Sequence, residues 1–233
     1  MGKIIEIGRS VIPACDVPIQ KLEEIVRETA DIEKISAYKV GFFLGLRYGL
    51  PETVDTIREY TKKPVIYDHQ KAGRDIPDTG EIFAEACMDA GINAVILFPF
   101  AGPQTETTWI NACRSKGLGV IIGGVMTHEK FKKSEGGFLE DEAVYDIYRI
   151  AADNGVNDFV VPGNKPDEII KIKAILEGKG LQPVLYSPGL IAQGGNITES
   201  AKAAGNNWHA IVGRALYEAK DIKQAALELV SRL

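Results

Sequence analysis

Short runs of β-branched and other apolar residues alternate with longer amphipathic stretches from one end of the chain to the other. The runs predict strands over 11–16, 37–41, 65–68, 94–98, 120–124, 159–162, 184–187 and 210–213. The intervening stretches carry apolar residues at helical spacing and predict helices over 19–31, 52–61, 80–90, 105–116, 140–154, 166–177, 198–204 and 221–232. Eight strand-then-helix units point to an α/β fold of the (β/α)8 TIM-barrel type. The strands read as near-continuous apolar runs, as in a parallel sheet covered on both faces. An open doubly wound sheet is the competing architecture, but no Gly-x-Gly-x-x-Gly follows the first strand. Eight units use up the length, so residues 1–233 read as one barrel domain, and Glu135-Gly-Gly-Phe138 reads as a loop rather than a linker.

Composition narrows the class. With 45% hydrophobic and 25% charged residues the chain belongs with globular proteins, not with disordered, collagenous or coiled-coil ones. The longest apolar runs, such as 94–101, fall short of the roughly 20 residues a bilayer span needs. The first eight residues carry Glu6 within their apolar stretch and show no signal-peptide pattern, so a cytoplasmic protein without membrane attachment is expected. A net charge of -5 with no basic run argues against nucleic acid as a partner. Cys15, Cys87 and Cys113 are odd in number and widely spaced, which fits reduced core residues rather than disulfides or a zinc site.

In a barrel of this type the chemistry lies at the carboxyl ends of the strands, where the βα loops converge. The polar residues ending the predicted strands are Asp16, Lys39, Asp68 with Lys71 and Asp75, Thr127 with His128, Ser187, and Gly213-Arg214. Singly, each reads equally well as a helix cap or a loop ion pair. Together they place alternating lysines and aspartates on one rim, where opposite charges hold one another and polarise a pocket. A second pattern suits an anion. Gly194-Gly195 lets backbone approach closely, Asn196-Ile-Thr-Glu199 can open a helix with its N–H groups free, and Arg214 can add a bidentate contact. The last two strand ends are the recurrent phosphate position of this fold.

The segment Tyr67-Asp-His-Gln-Lys-Ala-Gly-Arg-Asp-Ile-Pro-Asp-Thr79 resembles the orotidine 5'-phosphate decarboxylase family, whose third strand ends in Asp-x-Lys-x-x-Asp-Ile-Pro-x-Thr. Further similarities run in the family's order along nearly the whole chain: Pro13-Ala-Cys-Asp16, Tyr38-Lys-Val-Gly41, Met126-Thr-His128, Ser187-Pro-Gly-Leu-Ile-Ala-Gln-Gly-Gly195 and Ile211-Val-Gly-Arg214. The resemblance implies cofactor-free decarboxylation of orotidine 5'-phosphate to uridine 5'-phosphate, with no metal. It implies Lys71 as proton donor in a network with Asp68, Lys39 and Asp75. Asp16 would bind ribose hydroxyls, and Thr127 would stand where the family has a pyrimidine-contacting serine. Pro188, Gln193, Gly194, Gly195, Gly213 and Arg214 would hold the nucleotide and its phosphate. It also implies a homodimer in which Asp75 and Thr79, with Ile76 between them, serve the neighbouring subunit's site.

The spacing departs from the family's in one place. Asp68 and Lys71 are three apart rather than two, and Lys71 and Asp75 four rather than three. Strand parity would turn the first pair to opposite faces unless the strand ends by His69 or a bulge restores the direction, with Gly73 easing a second irregularity. Counting back strictly from Asp75 puts Gln70 and Ala72 at the catalytic positions instead, which would make a nucleotide-binding relative without catalysis. The sibling sugar-phosphate decarboxylases and synthases are the other alternative. They resemble Glu-x-Gly-Thr at the second strand, where the glutamate helps hold magnesium, whereas this chain has Lys39-Val-Gly-Phe42, a cation that would repel the metal.

Overall fold

Alternation along each strand decides which side chains fill the barrel and which meet the helices. The computed structural model describes residues 2–233, the side chains of Gln70 and Lys71 excepted. The elements in chain order are β1 (Arg9–Cys15), α1 (Ile19–Thr29), β2 (Tyr38–Gly41), α2 (Phe42–Tyr48), α3 (Leu50–Arg58), β3 (Val65–Ala72), α4 (Thr79–Asp89), β4 (Ala94–Leu97) and α5 (Pro103–Ser115). They continue with β5 (Gly119–Gly123), α6 (Ala143–Asp153), β6 (Asp158–Val160), α7 (Pro166–Gly178), β7 (Val184–Ser187), α8 (Ile197–Ala204), β8 (Trp208–Val212), α9 (Arg214–Tyr217) and α10 (Ile222–Val230). Neighbouring strands pair in parallel and in sequence order, and β8 closes on β1, so the sheet is a barrel without edges.

Two buried layers result. Ile12, Ala14, Ile66, Ala94, Ile96, Ile121, Val160, Tyr186 and Ile211, drawn from seven strands, form the barrel interior. Their sequence neighbours, such as Val11, Cys15, Val65, Val95, Leu97, Ile122, Leu185 and Val212, form the outer layer against the helices. The helices present matching stripes: in α1, Leu22, Ile25, Val26 and Thr29 are buried at the spacing of one helix face. Cys15, Cys87 and Cys113 are buried free thiols, as their scattered positions suggest. At the amino-terminal end the interior is polar: Ser10 Oγ lies 2.5 Å from Ser36 Oγ and 2.7 Å from His209 Nδ1, and Tyr186 donates to Asp158 at 2.8 Å.

The third strand carries the irregularity that its spacing suggests. Tyr67 pairs with Val95 and Ala72 with Leu97, so β3 advances five residues while β4 advances two. The strand does not stop by His69; a bulge of three residues sits between those pairs. Its effect on parity is visible at Ala72. Unbroken alternation would set Ala72 inside with Ile66 and Asp68, but Ala72 packs in the outer layer beside Leu97. Gly73 follows with φ of +92°, a conformation that side-chain-bearing residues rarely adopt. Two short helices outside the sequence prediction, α2 and α9, follow β2 and β8 directly.

Candidate active site

The carboxyl ends of the strands surround a cavity of about 310 Å³. Asp16, at the end of β1, Lys39 on β2 and Asp68 on β3 form its charged wall. Lys39 Nζ lies 3.4 Å from Asp68 Oδ2 and 3.5 Å from Asp16 Oδ2. Lys39 is 5% exposed and Asp68 6%, whereas the Asp16 side chain is 39% exposed and faces the opening. Burial pulls the Lys39 ammonium down, but Asp68 and Asp16 together outweigh it and leave its pKa above the ordinary lysine value. The close packing has a local reason. A Cβ at Gly41 would stand 2.2 Å from Asp16 Oδ1, so the glycine two residues after Lys39 makes room for the Asp16 carboxylate.

A second wall comes from the loops after β7 and β8, with Pro188, Gly189, Gln193, Gly213 and Arg214. The β7 loop is a tight turn. Ile191 N donates to Gly195 O at 2.7 Å and Gly194 N to Ile191 O at 2.9 Å, while Gly194 has φ of +87° and Ile191, a β-branched residue, φ of +59°. A β-branched residue held at positive φ is strained, and such strain persists where the surroundings over-determine the backbone. Gly195 packs so closely that a Cβ there would meet Gly189 O at 2.6 Å and Gly163 O at 2.8 Å. Gly194 and Gly195 shape the turn and do not line the cavity. The N–H groups of the α8 start differ from expectation: the Asn196 carboxamide caps the helix, accepting from Thr198 N at 2.9 Å and Glu199 N at 3.3 Å, so those two donors are already engaged.

Between these walls lie Ile96, Phe98, Val125, Met126, Thr127, Val160, Ile211 and Tyr217. Thr127 is held from two sides. Asn164 Nδ2 donates to its carbonyl at 2.9 Å, and its methyl abuts Gly189, where a Cβ would come within 2.7 Å. Phe98 lies over Gly123, whose absent Cβ would stand 2.2 Å from the ring. Phe98, Tyr217 and Asn164 were not legible as site residues. For Tyr217 a signal existed, because it stands three residues beyond Arg214 and so one helical turn along the same face.

Other sequence candidates sit elsewhere. The Lys71 side chain lies outside the described residues, as does that of Gln70. Asp75, Ile76 and Thr79 do not line the cavity of their own chain. They occupy the connection from β3 to α4, where Asp75 Oδ1 accepts from Ile76 N at 2.8 Å, Thr79 Oγ1 donates to Ile76 O at 2.8 Å, and the Ile76 side chain is 60% exposed. His128 is exposed on the β5 loop. Ser187 is fully buried and accepts from Trp208 Nε1 at 2.8 Å, a structural role.

Known proteins resemble this chain over most of its length. Residues 9–229 match the model of the orotidine 5'-phosphate decarboxylase / HUMPS family. An orotidine 5'-phosphate decarboxylase of Methanosarcina mazei is 34% identical over 214 residues, 91% of this chain and 88% of that protein. One of Methanococcus maripaludis is 32% identical over 202 residues, 87% of this chain and 86% of that protein. The crystal structure of orotidine 5'-monophosphate decarboxylase from Methanocaldococcus jannaschii, complexed with the inhibitor BMP, superposes with a TM-score of 0.83 at 27% identity, covering 98% of this chain and 99% of that one. With the closed eight-stranded barrel and the match along nearly its whole length, the chain belongs to the orotidine 5'-phosphate decarboxylase / HUMPS family.

Proposed function

We infer that this chain decarboxylates orotidine 5'-phosphate to uridine 5'-phosphate, without cofactor or metal, as a cytoplasmic homodimer. The observation that carries the reading is the buried Lys39 ammonium between Asp16 and Asp68, in a cavity that the β7 and β8 loops also line. Loss of CO2 from C6 of the pyrimidine leaves an electron pair on a carbon with no carbonyl to delocalise it. Fixed charges must therefore stabilise that pair, and a protonated amine must then deliver a proton to C6. Lys71 is the donor in this reading. Asp68 stands near the departing carboxylate, and Lys39 fixes the position of Asp68. The bulge in β3 supports the assignment: Ala72, which strict spacing would put at a catalytic position, belongs to the outer layer.

At the other wall, Arg214 and the backbone of Gly213 take the phosphate, with Gln193 and Pro188 beside it on the loop whose turn Gly194 and Gly195 shape. Asp16 meets the ribose and Thr127 the pyrimidine. Asp75, Ile76 and Thr79 do not line the cavity of their own chain, which suits service to a second subunit. Lys39 stands where the magnesium-dependent siblings need an anion, and its ion pairs favour the metal-free reading.

The test mixes the purified protein with orotidine 5'-phosphate and a chelator and follows loss of substrate absorbance. Turnover insensitive to chelation is the expected result. No turnover with tight binding of uridine 5'-phosphate would replace the reading with a nucleotide-binding module. Chelator-sensitive activity on a sugar phosphate would assign the chain to the siblings.

A further inference from the structure

A second cavity, of about 180 Å³, opens between α5 and α6, lined by Phe100, Val144, Ile147 and Ile150 with Glu106 and Asp146. Its walls are apolar apart from those two carboxyl groups. Glu106, on the first turns of α5, is 1% exposed, and its Oε1 is buried with no hydrogen-bond partner among the described residues. A buried carboxyl oxygen without a partner costs stability that an apolar side chain of similar volume would not, so its placement on a cavity wall calls for a ligand.

The surroundings decide the ligand's charge. Asp146, on α6, is the other ionisable group on the cavity wall, and Arg149 bridges it from outside at 2.7 Å. On α4, packed against the far side of α5, Glu81 is taken by Lys116 at 2.8 Å. β5 carries no ionisable residue, and the Arg74 guanidinium is spent on the Phe100 ring at 5.0 Å. No described cation neutralises Glu106, and burial alone pushes its carboxyl up to about 8. A cavity of this size is comparable to an apolar cavity of about 150 Å³ that accepts benzene.

We propose that the cleft between α5 and α6 binds a small primary amine, its ammonium paired with Glu106 and its compact apolar tail filling the space against Phe100, Val144, Ile147 and Ile150. The ammonium supplies the missing donor, and Asp146 at the same wall adds attraction for a cation. Near pH 7 binding expels the Glu106 proton, so affinity rises as the solution pH approaches and passes the carboxyl's own pKa.

Titration calorimetry with benzylamine, against benzyl alcohol as the uncharged isostere, tests this. Expected are saturable benzylamine binding that tightens about sevenfold from pH 7 to pH 8.5, and a loss of at least about tenfold, with the pH dependence, in Glu106→Gln. Added uridine 5'-phosphate leaves that binding in place. The proposal is overturned by absence of saturable binding, by equal affinity for benzyl alcohol, by an unchanged affinity in Glu106→Gln, or by displacement with uridine 5'-phosphate, which would put the amine in the main cavity. The wild-type pH profile stands as a test even if the variant folds poorly.

Discussion

Replacing Lys39 with methionine keeps a stem of similar length and removes the charge between Asp16 and Asp68. At 3.4 Å and an effective dielectric near 20, the attraction to Asp68 is about 5 kcal/mol before desolvation is subtracted. The 3.5 Å pair with Asp16 counts for less, because that carboxylate is 39% exposed and screened by solvent. Removing one member of a buried ion pair leaves the other with less to offset the cost of its burial, so Lys39→Met is expected to lose about 3–5 kcal/mol of stability. Urea unfolding at pH 7 of the wild type, Lys39→Met, Asp68→Asn and the double variant closes a cycle. The double variant is expected to be more stable than the sum of the single losses by about 2 kcal/mol. The folded-state pKa of Lys39 is raised, so this stabilisation is present below its ordinary value of 10.5 and is lost as the pH rises beyond it. The kcat/KM for orotidine 5'-phosphate falls at least about a hundredfold with the same substitution. A stability change within about 0.5 kcal/mol, with no coupling in the cycle, would refute the view that this ion cluster organises the site.

Three other outcomes follow from particular contacts. Asn196→Ala removes the cap from α8 and is expected to cost about 1 kcal/mol, with KM rising more than kcat falls because the adjoining β7 loop loosens; an equal fall in kcat alone would contradict that placement. Burial lowers the His209 pKa from 6.5 to about 4, so the unfolded chain binds the extra proton and stability from this group, present above pH 6.5, is lost by about 3 kcal/mol as the pH falls through 4. Asp158 is raised from 3.8 to about 6 and acts in the opposite sense, its contribution present below 3.8 and lost as pH rises through 6, so the His209 effect is read as the difference between wild type and His209→Gln in unfolding at pH 4 and 7. Mixing inactive Lys39→Met with inactive Asp75→Asn is expected to restore about a quarter of wild-type activity if Asp75 serves the partner's site, and no recovery would contradict the shared arrangement.

The barrel was legible because it depends on period, and each apolar run that predicts a strand lies on or within a residue or two of one. The exceptions have local causes. α2 and α9 have seven and four residues, too short for a helical period to register, and α2 stops at Gly49 with φ of +83°. Hydropathy ends the third strand at Asp68, since polar residues follow, but pairing with Leu97 carries it to Ala72. In the site, Asp16, Lys39, Asp68, Thr127 and Arg214 were legible as polar residues at or near the ends of the predicted strands, and Gln193 only through the resemblance of the β7 loop. Phe98, by contrast, was hidden because its role depends on Gly123 of a neighbouring strand. Glu106 and Lys132 stand among polar residues and carry no sign of burial in the sequence. Only the packing of α6 and α7 buries them, with Lys132 donating to Glu168 at 2.5 Å and lying 3.5 Å from the Tyr145 hydroxyl.

Proton delivery by Lys71 to C6 is the centre of the account, and turnover in D2O tests it most directly. The wild-type protein with orotidine 5'-phosphate and a chelator is expected to release CO2 and to give uridine 5'-phosphate with deuterium at C6, supplied by the exchanged ammonium. Lys71→Ala is expected to bind uridine 5'-phosphate yet form no product above background. Release of CO2 by Lys71→Ala at the wild-type rate, or none by the wild type, would contradict it.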